Sequence, residues 1–180
     1  IGGEHLVTLG AMRAVTSVYK NLHIIHFDAH TDLREDYLGE ELSHATVMRR
    51  CYELTGDQRI FQFGIRSGER SEFQWAKEHI FTRKYDFTGL EEVVEGLRDV
   101  PVYFTLDLDV LDPGIFPGTG TPEAGGVSFT QLLNAVRKVS KLNIVAFDVN
   151  ELSPAYDHSG ASTATACKIL RELLLAIGMK

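Results

Sequence analysis

The chain is poor in cysteine, in clustered positive charge and in long apolar runs, and each shortage removes a class of function. Its 180 residues hold two cysteines, Cys51 and Cys167, with no CxxC pairing. A disulfide framework, a zinc knuckle or an iron–sulfur site is therefore not expected, and both cysteines read as buried packing residues. Lys and Arg number 18 against 25 Asp and Glu, a formal net charge of −7, and no basic run occurs. Phosphate backbones and anionic lipid surfaces need concentrated positive charge, so no nucleic-acid or membrane partner is expected, and a small cationic ligand suits the chain better. No stretch reaches the roughly 18–20 continuous apolar residues of a membrane helix, and no charged-then-apolar leader opens the chain, so a cytoplasmic protein is expected. GxxxxGK[ST] and GxSxG are both absent. Gly118-Thr119-Gly120 begins a dinucleotide fingerprint, but Glu123 stands where its third glycine belongs.

What is present reads as one α/β domain spanning residues 1–180. Hydrophobic residues make up 44% and charged residues 24% of the chain, the composition of a globular domain. Four short runs rich in Ile, Val, Phe and Tyr read as buried parallel strands: His23–Asp28, Ile60–Ile65, Val102–Asp107 and Asn143–Val149. Between and around them, Leu9–Lys20, Ser71–His79, Leu90–Arg98, Thr130–Ser140 and Ser162–Ile177 carry apolar residues at helical spacing. Strand and helix in alternation predict a mostly parallel sheet covered on both faces, a three-layer α/β/α domain. The chain opens at Ile1-Gly2-Gly3 without an initiator methionine, and further N-terminal elements are expected to precede it.

Acidic residues gather where a ligand is expected. Asp28, Asp107 and Asp148 stand at or next to strand carboxyl ends, the side on which open α/β sheets bind ligands. In Asp28-Ala29-His30-Thr31-Asp32, a carboxylate, an imidazole and a second carboxylate fall at alternate positions, and Asp107-Leu108-Asp109 repeats the device. Four converging carboxylates would repel one another in a partly dry site unless cations neutralised them. Two divalent ions would do so. Carboxylate oxygen with some imidazole and no thiolate is a hard donor set that favours Mn²⁺ over Zn²⁺ or copper. His23 and His26 lie inside a strand and read as satisfied core histidines, and His79 and His158 lack suitable acidic neighbours. By local spacing alone, His5 and His44 each fit either a ligand or a capping role. The segment Asp112 to Gly126, rich in Gly, Pro and Thr, reads as an ordered loop lining the site.

These residues resemble the ureohydrolases, the family of arginase, agmatinase, guanidinobutyrase and formimidoylglutamase. The likeness runs through GGEH at Gly2–His5, FDAHTD at Phe27–Asp32, SHAT at Ser43–Thr46, LDLDVLDP at Leu106–Pro113, PGTGTPEAGG and DVNELSP at Asp148–Pro154. It implies one manganese held by His5, Asp28, Asp32 and Asp107 and a second held by His30, Asp28, Asp107 and Asp109. In this family the two ions activate a bridging water that attacks the guanidinium carbon. By the same resemblance His44 is the proton shuttle to the departing amine, Glu151 orients the guanidinium, and Thr119 and Thr121 add hydroxyl contacts. The four aspartates, two divalent cations, one hydroxide and one guanidinium sum to zero, and Glu151 is the surplus anion favouring a cationic substrate. Trimers or hexamers are implied as the assembly. Glu4 stands where Asp is common, which puts the placement of His5 in question, and Ala45 stands where Gly is common.

Arginases follow DAHxD with Asn and Ser residues that grip the amino-acid end of their substrate. Here Leu33 to Glu40 lacks them and is acidic, which favours a substrate without an α-carboxylate. Agmatine, giving urea and putrescine, comes first; guanidinobutyrate is the nearest rival, with Arg34 or Arg66 as carboxylate partners, and arginase or formimidoylglutamase activity stands behind it. A non-catalytic metal- or polyamine-binding relative is the reading from another class, and retention of His44 and Glu151 argues against it. A zinc deacetylase of related fold would need a simpler, one-metal ligand set than Asp109 and His5 suggest.

Overall fold

A computed structural model describes residues 1–178. Five strands, β1 (His23–Phe27), β2 (Ile60–Ile65), β3 (Phe81–Lys84), β4 (Pro101–Asp107) and β5 (Asn143–Asn150), form one parallel sheet in the order β3-β2-β1-β4-β5. Among the described residues six α-helices complete it: α1 (Val7–Val18), α2 (Val47–Thr55), α3 (Arg70–His79), α4 (Leu90–Gly96), α5 (Phe129–Val139) and α6 (Ala161–Gly178).

Strand residues alternate between two apolar cores because successive side chains leave opposite faces of the sheet. Ile25, Phe27, Phe63, Phe104 and Leu106 pack with Leu90 of α4, Leu132 and Val136 of α5 and Ile169 and Leu173 of α6. Ile24, Ile60 and Tyr103 pack on the other face with Leu9 and Met12 of α1, Met48 and Cys51 of α2 and Ala76 of α3. The three-layer α/β/α arrangement expected from the sequence is therefore the one observed.

Two elements lie outside the sequence reading. Helix α2 was not anticipated, since VMRRCYELT interrupts its apolar face with paired arginines; Ser43 starts the turn before it, accepting from the amide of Ala45. Edge strand β3, FTRK, has a single apolar residue and gains its strand character from pairing with β2. Cys51 is buried as expected, but Cys167 is exposed, because it lies on the face of α6 that turns away from the sheet.

The topology decides where a ligand fits. The chain runs outward from β1 through β2 to β3, then returns to the other side of β1 to lay down β4 and β5. The loops leaving β1 and β4 therefore part in opposite directions and open a crevice at their carboxyl ends, the switch point of an open α/β sheet. Phe27 and Leu106 are register partners, so the next residues, Asp28 and Asp107, emerge side by side.

Candidate metal centre

The backbone fixes one oxygen of three aspartates and leaves the other turned inward. Asp28 Oδ1 accepts from the His30 amide at 2.6 Å, Asp107 Oδ1 from the Asp109 amide at 2.8 Å, and Asp109 Oδ1 from the Ala29 amide at 3.0 Å. The remaining oxygens, together with Asp28 Oδ1, converge on two imidazoles. His5 Nδ1 lies 3.2 Å from Asp28 Oδ2, 3.1 Å from Asp32 Oδ2 and 3.3 Å from Asp107 Oδ2. His30 Nδ1 lies 2.9 Å from Asp109 Oδ2 and 3.4 Å from Asp28 Oδ1. Asp28 faces both groups.

Two backbone features hold these side chains in place. Asp32 and Glu151 both have positive φ, 53° and 64°, a region that costs a non-glycine residue about 1–2 kcal/mol and is concentrated at functional sites. The Asp32 carbonyl accepts from the amides of Met48 and Arg49 at 3.0 and 3.1 Å, which ties the loop to the start of α2. Buried Glu72, on the first turn of α3, accepts from the Thr31 hydroxyl at 2.7 Å, the Leu33 amide at 2.9 Å and the Glu69 amide at 2.6 Å.

His26 is buried and satisfied, as its place in a strand suggested, yet it touches the centre. The Gln62 amide is oriented by donation to the Thr31 carbonyl at 2.7 Å and acceptance from the Thr82 hydroxyl at 3.1 Å, so its nitrogen donates to His26 Nδ1 at 3.1 Å. The His26 proton then resides on Nε2, which donates to Asp28 Oδ2 at 2.7 Å. Gln62 and Thr105 were the signals available in the sequence: each is a polar residue inside an apolar strand, where a side chain without a partner is costly.

Burial and mutual repulsion set the charges. Asp32 is pushed up to about 7 by burial and by the charge of Asp28. Burial, Asp109 and Asp28 push Asp107 well above the ordinary carboxylate value. Burial also raises Asp28, but His26, His30 and His5 outweigh it and hold its carboxyl well below that value. Burial opposes a charge on His30, while Asp109 and Asp28 win and raise it to about 12. Without a cation, the cluster can meet its own charge only by retaining protons.

A metal ion fits this donor set. Among the described residues, His5 Nδ1 and Asp109 Oδ2 are buried with no well-aligned hydrogen bond; each faces only other members of the cluster, His5 the three carboxylates and Asp109 the His30 ring. Two ligand groups follow from the geometry: His5, His26, Asp28 and Asp32, and Asp28, His30 and Asp109. The donor of His26 is already committed to Asp28, and Asp107 stands nearer in role, 3.3 Å from His5. Neighbouring donors 2.9–3.4 Å apart match adjacent ligands around an octahedral ion with bonds of roughly 2.1–2.4 Å.

The two remaining sequence candidates flank the cluster. Glu151 follows β5, is about half buried, and accepts from the His5 amide at 2.8 Å through Oε1; burial raises its pKa. His44 lines a cleft of about 300 Å³ together with His30, Asp32, Arg34, Tyr37, Glu69 and Thr121. Thr119 is buried with its hydroxyl unpartnered. Glu4 does not touch the His5 ring: its Oε2 accepts from the Leu6 amide at 3.2 Å and its Oε1 lies 3.5 Å from His44 Nδ1. Arg66 is not free to hold a substrate carboxylate, because its guanidinium donates to the carbonyls of Gly64, Asp109, Val110, Leu111 and Glu123.

A parallel α/β sheet with a buried His/Asp cluster at its switch point that could hold a metal ion sets the class: an open α/β protein with a candidate metal site. The chain belongs to the arginase family, whose model matches residues 1–176. It is 49% identical to the agmatinase of Bacillus subtilis over 97% of this chain and 62% of that protein. With the guanidinobutyrase of Pseudomonas aeruginosa the identity is 32%, over 98% of this chain and 59% of that protein. A solved structure from Clostridium difficile, provisionally assigned as an agmatinase, superposes with TM-score 0.96 at 50% identity, covering 99% of this chain and 67% of that one. The arginase of Bacillus cereus superposes with TM-score 0.83 at 26% identity, over 96% and 68%. The chain thus spans about three fifths of the length of the curated relatives it matches. Among the described residues no helix is long and apolar enough to cross a membrane.

Proposed function

We propose that this protein is a binuclear manganese ureohydrolase that cleaves the guanidinium group of agmatine to urea and putrescine. The observation that carries the proposal is the convergence of buried imidazole and carboxylate atoms in two groups that share Asp28, with His5 Nδ1 and Asp109 Oδ2 lacking a well-aligned hydrogen bond. His5, Asp28, Asp32 and Asp107 would hold one ion, and His30, Asp28, Asp107 and Asp109 the other. When bound, the two ions would supply an activated water and polarise the guanidinium.

The chain's own residues would do the rest. Glu151 uses one carboxylate oxygen on the His5 amide and offers the other to the planar guanidinium by charge-assisted hydrogen bonds. His44, half exposed on the cleft wall and braced edge-on against Tyr37 with ring centroids 5.4 Å apart, would bring a proton to the departing amine. Thr121 on the cleft wall, and Thr119 with its free hydroxyl, are candidates for polar contacts to the same substrate.

Charge on the far wall favours agmatine over a guanidino acid. Arg34 lies 3.3 Å from Glu69 and 3.8 Å from Glu72, so two carboxylates answer one guanidinium and an ammonium tail is the better guest. The proposal carries with it a trimeric or hexameric assembly and a cytoplasmic setting, both taken from the family resemblance.

The test is urea release by the manganese-loaded protein from agmatine, arginine and guanidinobutyrate, with chelator-stripped protein and Asp107→Asn as controls. Manganese-dependent urea from agmatine is expected. Urea from guanidinobutyrate alone would move the specificity, and no urea from any of the three with two ions bound would refute the catalytic reading.

A further inference from the structure

Asp148 is a buried carboxylate that the site described above does not use. It sits in β5 beside its register partner Thr105 of β4. Four neutral donors satisfy it. Asp148 Oδ1 accepts from the Thr105 hydroxyl at 2.7 Å and the Asn150 amide at 2.6 Å, and Oδ2 accepts from the Thr8 hydroxyl at 2.9 Å and from the Tyr103 hydroxyl. Helix α1 and strands β4 and β5 each contribute to this cage.

The cage reaches the metal cluster through one hydroxyl. Thr105 Oγ1 lies 2.9 Å from His5 Nε2. A threonine hydroxyl carries a single proton, and each oxygen of Asp148 already serves as acceptor to two donors, so that proton goes to Asp148 Oδ1, the nearer partner. Thr105 must then accept from His5, which places a proton on Nε2. Nδ1, on the far side of the ring, is left as the nitrogen facing Asp28, Asp32 and Asp107 at 3.1–3.3 Å.

We propose that Thr105 and Asp148 are positioning residues that fix the tautomer and ring orientation of His5, so that Nδ1 is presented to one of the two ions. This rests on the reading of His5 as a metal ligand. Partners of this kind commonly change metal affinity by about 10–100-fold when removed. Because the relay touches His5 and not His30, its loss acts on one of the two ions.

The test compares Thr105→Val, which keeps the volume and removes the hydroxyl, with Thr105→Ser, which keeps the hydroxyl. Mn²⁺ stoichiometry and the two affinities are read by chelator competition, and metal-free thermal midpoints report on folding. Thr105→Val is expected to weaken one ion by about 10–100-fold and leave the other within about threefold, while the metal-free protein still unfolds cooperatively with a midpoint lowered by the lost hydrogen bond to buried Asp148. Thr105→Ser is expected to bind both ions normally. Thr105→Ala, free of any misplaced methyl group, is expected to repeat the loss and serves if the valine variant misfolds.

Native affinity for both ions in Thr105→Val, or equal weakening of both, would overturn the proposal. So would a loss in Thr105→Ser as large as in Thr105→Val. If the unaltered protein itself binds no manganese, the metal reading falls, and this inference falls with it for that separate reason.

Discussion

Removing the metal should reverse the usual dependence of stability on pH, and Asp32 gives the magnitude. Its carboxyl is 7% exposed and is pushed from an ordinary 3.8 up to about 7 by burial and by Asp28, with His5 3.1 Å away providing only part of the compensation. Between those two values the folded, metal-free protein keeps a proton on Asp32 that the unfolded chain has already lost. The folded state therefore binds more protons, and stability falls as pH rises through the window. A shift of about three units at 1.36 kcal/mol each is on the order of 4 kcal/mol over the whole window, of which about 2 kcal/mol, or roughly 5 °C in thermal midpoint for a domain of this size, falls between pH 5 and 7. The raised pKa of Asp107 acts in the same direction, while the depressed pKa of Asp28 acts only at lower pH. Bound cations replace those protons, so the loaded protein should show no such fall. The assay is thermal unfolding followed by circular dichroism at pH 5, 6 and 7, with chelator or with manganese, on the unaltered protein and on Asp32→Asn. A metal-free midpoint that rises or stays level from pH 5 to 7 would refute the reasoning. So would an Asp32→Asn variant with an undiminished slope.

Metal binding at pH 7 is expected to release protons, since His30, raised to about 12, must free a ring nitrogen to coordinate. Calorimetry in two buffers of different ionisation enthalpy should give different apparent heats, and identical heats would contradict the assignment of His30. Glu72→Ala removes three hydrogen bonds to a buried carboxylate that ties α3 to the loop carrying Asp32. A loss of about 3 kcal/mol in denaturant titration is expected, together with weaker manganese binding, because the orphaned donors stay buried. Gly64→Ala places a methyl 2.5 Å from Val110 Cγ2 and 3.1 Å from the Asp28 carbonyl, at φ +87°. A destabilisation of about 3 kcal/mol is expected from the left-handed backbone and overpacking together; a midpoint within about 2 °C of the parent would show that the turn after Asp109 yields freely.

How much of this was legible beforehand depended on whether the determining contact was local. The buried strands announced themselves because parallel strands covered on both faces read as short runs of Ile, Val and Phe, and β2 fell at Ile60–Ile65 in the sequence and in the structure alike. Edge strand β3 and helix α2 were not legible: FTRK and VMRRCYELT take their form from what they pair with or pack on. The ligand candidates were visible for a similar reason, since alternation along Asp28-Ala29-His30 and Asp107-Leu108-Asp109 is a local property. Asp148 was visible as an acid near a strand end, but it lies inside β5 and bonds Thr105, 43 residues away, in place of joining the cluster, and Glu72, 41 residues from Thr31, gave no local signal.

Glu4 and Arg66 show the two ways in which sequence reasoning about a site goes astray. Glu4 adjoins His5 in sequence and was suspected of disturbing it, but the turn into α1 carries the carboxylate towards His44 instead. Adjacent residues at a helix start point in different directions, so sequence neighbours there are poor guides to shared contacts. Arg66 looked available for a substrate because it is charged and follows a strand. Its N–H groups are in fact spent on the carbonyls of Gly64 in β2, of the turn that follows β4 and of the Glu123 loop. A guanidinium half buried among carbonyls is a scaffold: it fixes the Asp109 turn, while Arg34, answered by two carboxylates at the cleft wall, leaves that wall negative. The same charge type thus has opposite consequences at two positions. The difference lies in what the backbone brings within 3–4 Å of each, which follows from the switch-point topology.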